Sequence, residues 1–184
     1  MKRLTDYGGE FCTNLKLGDF SPDTLTELVV LYSKLYRALD GFWYITIKER
    51  FSNEEALACD LDAWGRLCKY EMAKITEKLN IRGNDVIALM KAIQTNPWFQ
   101  SRQFSIEVKG HNNAILTIAY CPTLDALERE GNGREKDICN IACTRGYKNY
   151  ASFFDPDIAV TCLKSPPREN KDDISCQWEF LCSE

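Results

Sequence analysis

The sequence predicts an α+β fold, with an N-terminal helical half packed on an antiparallel sheet of about four strands that carries inserted helices. Three observations lead there. Up to about residue 96, apolar residues recur at three- and four-residue steps, the period of helices buried along one face. After Pro97 the period drops to two, as in a half-buried strand. The order is helices first, then strands interrupted by helices, which is the α+β arrangement.

The elements follow in order. Residues 1–20 hold Gly8, Gly9 and Gly18 with little periodicity, and read as an irregular lead-in. Ser21-Pro22-Asp23 starts a helix with a capping hydroxyl, a proline at the first helical position and an acid in the first turn. Leu25, Leu28, Tyr32, Leu35, Leu39 and Phe42 form its apolar stripe, and it is expected to run to about Arg50. Asn53, Glu54 and Glu55 start a second helix, with the stripe Leu57, Leu61, Trp64, Cys68, Met72, Ile75 and Leu79. A third begins at Asn84, carries Val86, Ile87, Met90 and Ile93, and stops at Asn96-Pro97, because the residue before a proline is pushed out of helical conformation.

Phe104, Ile106 and Val108 then alternate with Ser105, Glu107 and Lys109 in a strand. Gly110-His111-Asn112-Asn113 turns the chain into residues 114–121, which are apolar on both faces as a central strand is. Pro122 opens a short helix ending near Gly131-Asn132-Gly133, and another runs from Arg134 to about Phe154. Asp155-Pro156-Asp157 leads to a strand over 158–163, and a polar Pro-Pro loop (165–173) leads to a last strand over 175–182. Neither repeats nor a second domain is visible. The 184 residues are read as one domain: lead-in 1–20, helical part 21–96 and sheet-containing part 100–182. That length suits a single core, since about 100–200 residues usually make one.

Composition narrows the function. With 45% hydrophobic and 27% charged residues, the chain is expected to be globular. A formal charge of −4 speaks against nucleic acid as a partner, because backbone binding needs a basic face. No apolar run nears the ~18 residues of a membrane span, and the N-terminus lacks a signal-peptide stretch. A cytoplasmic protein without membrane contact is expected. The lysines and arginines scattered through the helices read as solvated faces.

Nine cysteines against one histidine are more sulfur than packing calls for. With an odd count and no sign of secretion, a disulfide framework is not expected. No Cys-x-x-Cys occurs, so any metal site must be assembled from distant segments. Cys121 ends the central strand, Cys139 sits on the following helix, and Cys162 and Cys176 lie on two strands joined by one loop. If that hairpin turns symmetrically about Glu169, Cys162 and Cys176 are direct cross-strand neighbours, with Cβ atoms about 4.5–5.5 Å apart. Packed thiols and metal ligands fit that placement equally well. Cys12, Cys59, Cys68, Cys143 and Cys182 read as packing residues.

The segments Cys121-Pro122-Thr123-Leu124, Asp137-Ile138-Cys139, Tyr150, Asp155-Pro156-Asp157-Ile158, Cys162 and Cys176-Gln177-Trp178-Glu179-Phe180 resemble the family of L-2-amino-thiazoline-4-carboxylic acid hydrolase-like proteins. Leu39-Asp40-Gly41-Phe42-Trp43-Tyr44 and Glu49-Arg50-Phe51 look like the same group, so the resemblance runs from about Leu25 to Phe180. It implies hydrolysis of a non-peptide C–N bond in a cyclic amidine or related amino-acid derivative. The C-terminal part is also similar to the 4-vinyl reductase small-molecule-binding domain, whose members include sensor domains with a cysteine-rich zinc site. Cys139, Cys162 and Cys176 match its three cysteines. Position 159 is Ala where that pattern has an acid, so a four-ligand site would recruit Cys121 or another group. The resemblance thus implies zinc or iron held by Cys121, Cys139, Cys162 and Cys176.

Opening a cyclic amidine needs a nucleophile, a proton shuttle and a carboxylate to hold the cation. His111 is the only side chain with an ordinary pKa near neutrality. About 33 Å of extended strand separates it from Cys121, at about 3.3 Å per residue, so the two form no dyad within one straight strand. Asp40 falls near the stripe of the first helix, and Gly41 follows it. A helical glycine costs about 0.5–1 kcal/mol against alanine, which implies that something approaches its backbone. Tyr36, Asp40, Trp43 and Tyr44 are expected to line an aromatic pocket at the helix–sheet junction, with Trp64 and a second acid, Glu71, from the facing helix. Asp40 and Glu71 would orient or protonate a cationic substrate, and Cys121 or a metal-activated water would attack. The other reading is a non-catalytic ligand-binding or sensor module with a thiolate metal site. The long helices are expected to join two copies in a homodimer.

Overall fold

The computed structural model describes residues 3–182. Met1 and Lys2 of the expected lead-in, and Ser183 and Glu184 at the other end, lie outside them. The fold is α+β. Helix α1 (Pro22–Arg50) starts where the sequence puts it, with Ser21 Oγ accepting the Thr24 amide at 3.2 Å. Helix α2 (Asn53–Leu79) is capped by Ser52, whose Oγ accepts the Glu55 amide at 3.2 Å. It ends on Asn80 in the left-handed conformation, φ 51°, which asparagine tolerates better than most residues. Helix α3 (Val86–Thr95) is capped by Asp85 rather than Asn84, the Asp85 carboxylate accepting the Ala88 amide at 2.8 Å.

A 3₁₀ turn, Pro97–Phe99, leads into β1 (Gln103–Val108), β2 (Asn113–Tyr120) and α4 (Pro122–Glu130). The helix expected from Arg134 to Phe154 is a short α5 (Glu135–Asp137), a π segment (Ile138–Ala142) and α6 (Cys143–Phe154). In the π segment the Cys143 amide donates to the Ile138 carbonyl, five residues back instead of four. Strands β3 (Ile158–Lys164) and β4 (Cys176–Cys182) close the chain. The sheet is antiparallel throughout, in the order β1-β2-β4-β3, so β2 is central as its apolar faces require.

One core cluster joins helices to sheet. Met72 of α2, Val86, Leu89 and Ile93 of α3, Leu116 and Ile118 of β2, Tyr147 and Tyr150 of α6, and Trp178 and Phe180 of β4 all belong to it. Each large apolar side chain so buried contributes about 1.5–3 kcal/mol. Among the described residues no helix is long and apolar enough to cross a membrane.

Two expectations need correction. The apolar stripe of α1 faces outward: Tyr32, Leu35, Leu39 and Phe42 are 49%, 56%, 67% and 69% exposed. The buried residues of α1 are Ser33, Arg37 and Tyr44 instead. Hydrogen bonds and ring contacts from Tyr36 and Asp40 to α2 and to Trp98 bind this polar, aromatic face inward. The second correction is the β3–β4 register. Cys162 lies opposite Trp178, and Cys176 pairs with Ile118 on the other side. Over residues 158–162 the hairpin centres one residue later than Glu169, which moves their cross-strand partners by two.

Candidate ligand cavity

A cavity of about 710 Å³ opens between α1, α2, the 97–102 segment, α4 and the π–α6 helix. It sits at the end of the sheet where Arg102 precedes β1 and Cys121 follows β2. Its walls are largely apolar, with several aromatic rings among them. Trp64 and Trp98 meet edge to face at 4.6 Å between centroids, with Tyr44, Phe99, Tyr147 and Tyr150 around them.

Of the residues expected at a site, Asp40, Tyr44, Trp64, Cys121 and Cys139 line this cavity. Tyr36 stands behind the wall, its ring 6.0 Å from Trp64 and 5.9 Å from Trp98. Glu71 is buried away from the lining, where its carboxylate accepts from Tyr36 Oη at 2.8 Å, Tyr150 Oη at 3.0 Å and Asn96 Nδ2 at 3.0 Å. Burial, and then the Glu71 charge, push the Tyr36 phenol well above its ordinary pKa. Three donors saturate Glu71, so it locks α1, α2, α3 and α6 together rather than facing a ligand. Trp43 is 61% exposed, and His111 is exposed in the β1–β2 turn; neither lines the cavity.

Gly41 also lines the cavity, and a Cβ built there meets nothing within 4 Å. The expected close approach to its backbone is therefore absent; the missing side chain leaves open space on the cavity side.

An acidic end forms around Trp64, whose Nε1 donates to Asp40 Oδ1 at 2.8 Å. Asp60, one turn before Trp64 on α2, joins it. Burial raises the Asp60 carboxyl to about 7, helped by the Asp40 charge and opposed by the Trp64 hydrogen bond. Burial also raises Asp40 above its ordinary value. A carboxyl raised to about 7 lies in the range where catalytic acids and bases operate.

Two arginines stand on the Trp98 side of the Trp64–Trp98 pair. Arg37 and Arg102 both reach the cavity, their Cζ atoms 5.6 and 5.5 Å from the Trp98 ring centroid. Arg37 is buried, not solvated as expected of a helical arginine, and Arg102 is half-buried.

Behind Arg102 lies a pocket of about 20 Å³ lined by Cys121, Cys139, Cys143 and Cys176, with Trp178. Three of the four thiols expected to converge do so. Cys162 is exposed and outside, and Cys143 takes the fourth place. The Cys139 thiol hydrogen-bonds Cys143, raising the pKa of Cys139 and lowering that of Cys143, an effect that burial opposes and Arg102 assists. Burial lifts Cys176 to about 12. Among the described residues no group of three or more His, Cys, Asp or Glu side chains is placed to hold a metal ion. A guanidinium among the thiols opposes a dication electrostatically, so these residues do not fit a four-thiolate zinc or iron site in this arrangement.

A family model, described as a family of unknown function (DUF6125), matches residues 18–182. The chain belongs to that family. No curated protein and no solved structure matches it. The stretch matched by the DUF6125 model contains every residue that lines the cavity.

Sequence reading missed Arg37, Asp60, Arg102 and Cys143. For Arg37 a signal existed. Ser33, Tyr36, Arg37, Asp40 and Tyr44 share the α1 face beside the apolar stripe, and it carries two aromatics, unusual for a solvated face. Arg102 and Cys143 had none, because only the sheet end and the π turn bring them together.

Proposed function

We propose that this protein binds a small, largely apolar molecule in the cavity between α1, α2 and α6. The observation that carries the reading is an apolar-walled space of about 710 Å³, with several aromatic rings, that also holds buried charged groups. Ligand sites are typically about 300–1,000 Å³, mostly apolar, with a few placed polar groups. A thermal-shift screen of ring-bearing acids, amines and alcohols tests it. Saturable stabilisation by at least one class, lost when Gly41→Phe fills the cavity, is expected; no stabiliser in any class overturns the reading.

A second reading is that the bound molecule is hydrolysed at a C–N bond. It is favoured by Asp60, poised at about 7 inside the cavity, and by the resemblance to the amino-thiazoline-carboxylate hydrolase-like group. Asp60 with Asp40 would then move the proton. Turnover of cyclic amidines or carbamoyl amino acids, lost in Asp60→Asn, is its test; a ligand bound without being consumed leaves a sensor module.

We also propose a homodimer. Leu25, Leu28, Tyr32, Leu35, Leu39 and Phe42 alternate in steps of three and four, a heptad seam, and its last four members are exposed. A second copy of α1 presents the same seam and covers about 26 Å of it at 1.5 Å per residue. The exposed free thiols of Cys12, Cys59 and Cys162 suit a reducing, cytoplasmic setting.

A further inference from the structure

Arg37 and Arg102 line the cavity without a carboxylate partner among the described residues, the acids facing Arg102 being mainly thiols. Arg37 is 9% exposed. Its Nη2 donates to Ser101 Oγ, while its Nη1 is buried with no acceptor. Arg102 donates from Nη1 to Tyr147 Oη at 3.4 Å, and its Nε is buried with no acceptor. Neither forms an ion pair among the described residues. Two other arginines of the lining do: Arg129 with Asp125 at 3.1 Å and Arg134 with Glu130 at 3.1 Å.

Buried guanidinium N–H groups without acceptors are uncommon, because desolvating them is unfavourable. Two neighbouring cations in a low-dielectric space also repel. The Arg37 guanidinium is pushed below its ordinary pKa by burial and then by the Arg102 charge. An oxyanion beside both guanidinium groups offsets their mutual repulsion. Burial raises both Asp40 and Asp60 above the ordinary carboxylate range, Asp60 to about 7. The aromatic rings beside these arginines suit a ring in the ligand.

We infer that the ligand is an apolar, ring-bearing oxyanion, a carboxylate or phosphate monoester, whose headgroup is held by Arg37 and Arg102 and whose body lies against Trp64, Trp98 and Tyr44. This rests on the reading of the cavity as a small-molecule site, and it sets the ligand's charge opposite to that of a cationic amidine.

Four probes of one shape test it on the full chain by titration calorimetry: 2-naphthylacetate, 2-naphthyl phosphate, 2-(2-naphthyl)ethanol and 2-(2-naphthyl)ethylammonium. At least one anion is expected to bind tenfold or more tighter than the alcohol, with the ammonium weakest, and the tighter anion names the headgroup. Arg37→Gln is expected to weaken that anion at least tenfold while leaving the alcohol within twofold. Arg102→Gln, read the same way, serves if Arg37→Gln does not fold. An alcohol that binds as tightly as both anions, or equal losses for anion and alcohol in a folded variant, overturns the anion assignment but leaves the cavity as a ligand site. Binding of none of the four overturns both.

Discussion

Trp64 Nε1 donates to Asp40 Oδ1 at 2.8 Å, tying α2 to α1 at the acidic end of the cavity. Asp60 shares this corner, and burial raises it from the ordinary 3.8 to about 7. For an acid with a raised folded-state pKa, the unfolded chain releases the proton first as pH rises. Asp60 therefore contributes fully to stability below about pH 4, and its contribution is lost between there and about pH 7. Melting temperatures measured from pH 4 to 8 are expected to fall for the wild type relative to Asp60→Asn across that window, then to run parallel. A constant difference at every pH would show Asp60 to be ordinary.

Glu71 is held by Tyr36, Tyr150 and Asn96, and Asn96 is fully buried. Asn96→Leu removes one donor to a buried carboxylate and is expected to cost about 1–3 kcal/mol. Denaturant unfolding measures it. Probe affinity for the cavity should stay within twofold, because Glu71 does not line it; a tenfold loss would place Glu71 in the site.

Gly41 lies mid-helix with open space beside it. Gly41→Ala is expected to stabilise the protein by up to about 1 kcal/mol through helix propensity alone, as read by chemical denaturation. A destabilised Gly41→Ala would mean that something does close on this backbone.

Cys12, Cys59 and Cys162 are exposed, and the thiols around Arg102 are not. Native-state titration with a thiol reagent is expected to show three fast sites and a slow remainder. Elemental analysis should find well under one zinc or iron per chain, since Arg102 stands among the clustered thiols. One equivalent of metal, released together with protection of four thiols, would restore the metal site.

Leu35→Glu with Leu39→Glu puts charges in the exposed seam of α1 without touching the core. Light scattering is expected to show a dimer for the wild type and a folded monomer for the variant. A wild-type monomer at high concentration would remove the dimer.

The fold was largely legible because its signals are local. Ser21-Pro22 and Ser52-Asn53 cap helices wherever they occur, and alternation over Phe104–Val108 can be satisfied only by a strand. Asp40, Tyr44 and Trp64 were found for a related reason, since helical spacing put them near one another. Glu71 was drawn into the expected site wrongly: an acid near an apolar stripe looks the same from sequence whether three donors seal it or a cavity receives it.

What sequence alone determined, then, is the α+β class, the element order and a pocket built from α1 and α2. Tertiary structure decided which face of α1 turns inward. The stripe of Leu25 to Phe42 meets the rule for burial, yet Arg37, Asp40 and Tyr44 make the interior contacts. Periodicity measures how apolar a face is, not whether another face finds better partners. Tertiary structure alone also set Cys162 opposite Trp178 and gathered Arg37, Arg102 and four thiols at one sheet end. A one-residue change in a loop's centre, or one π turn, moves such groups by several ångströms, and no local pattern records either.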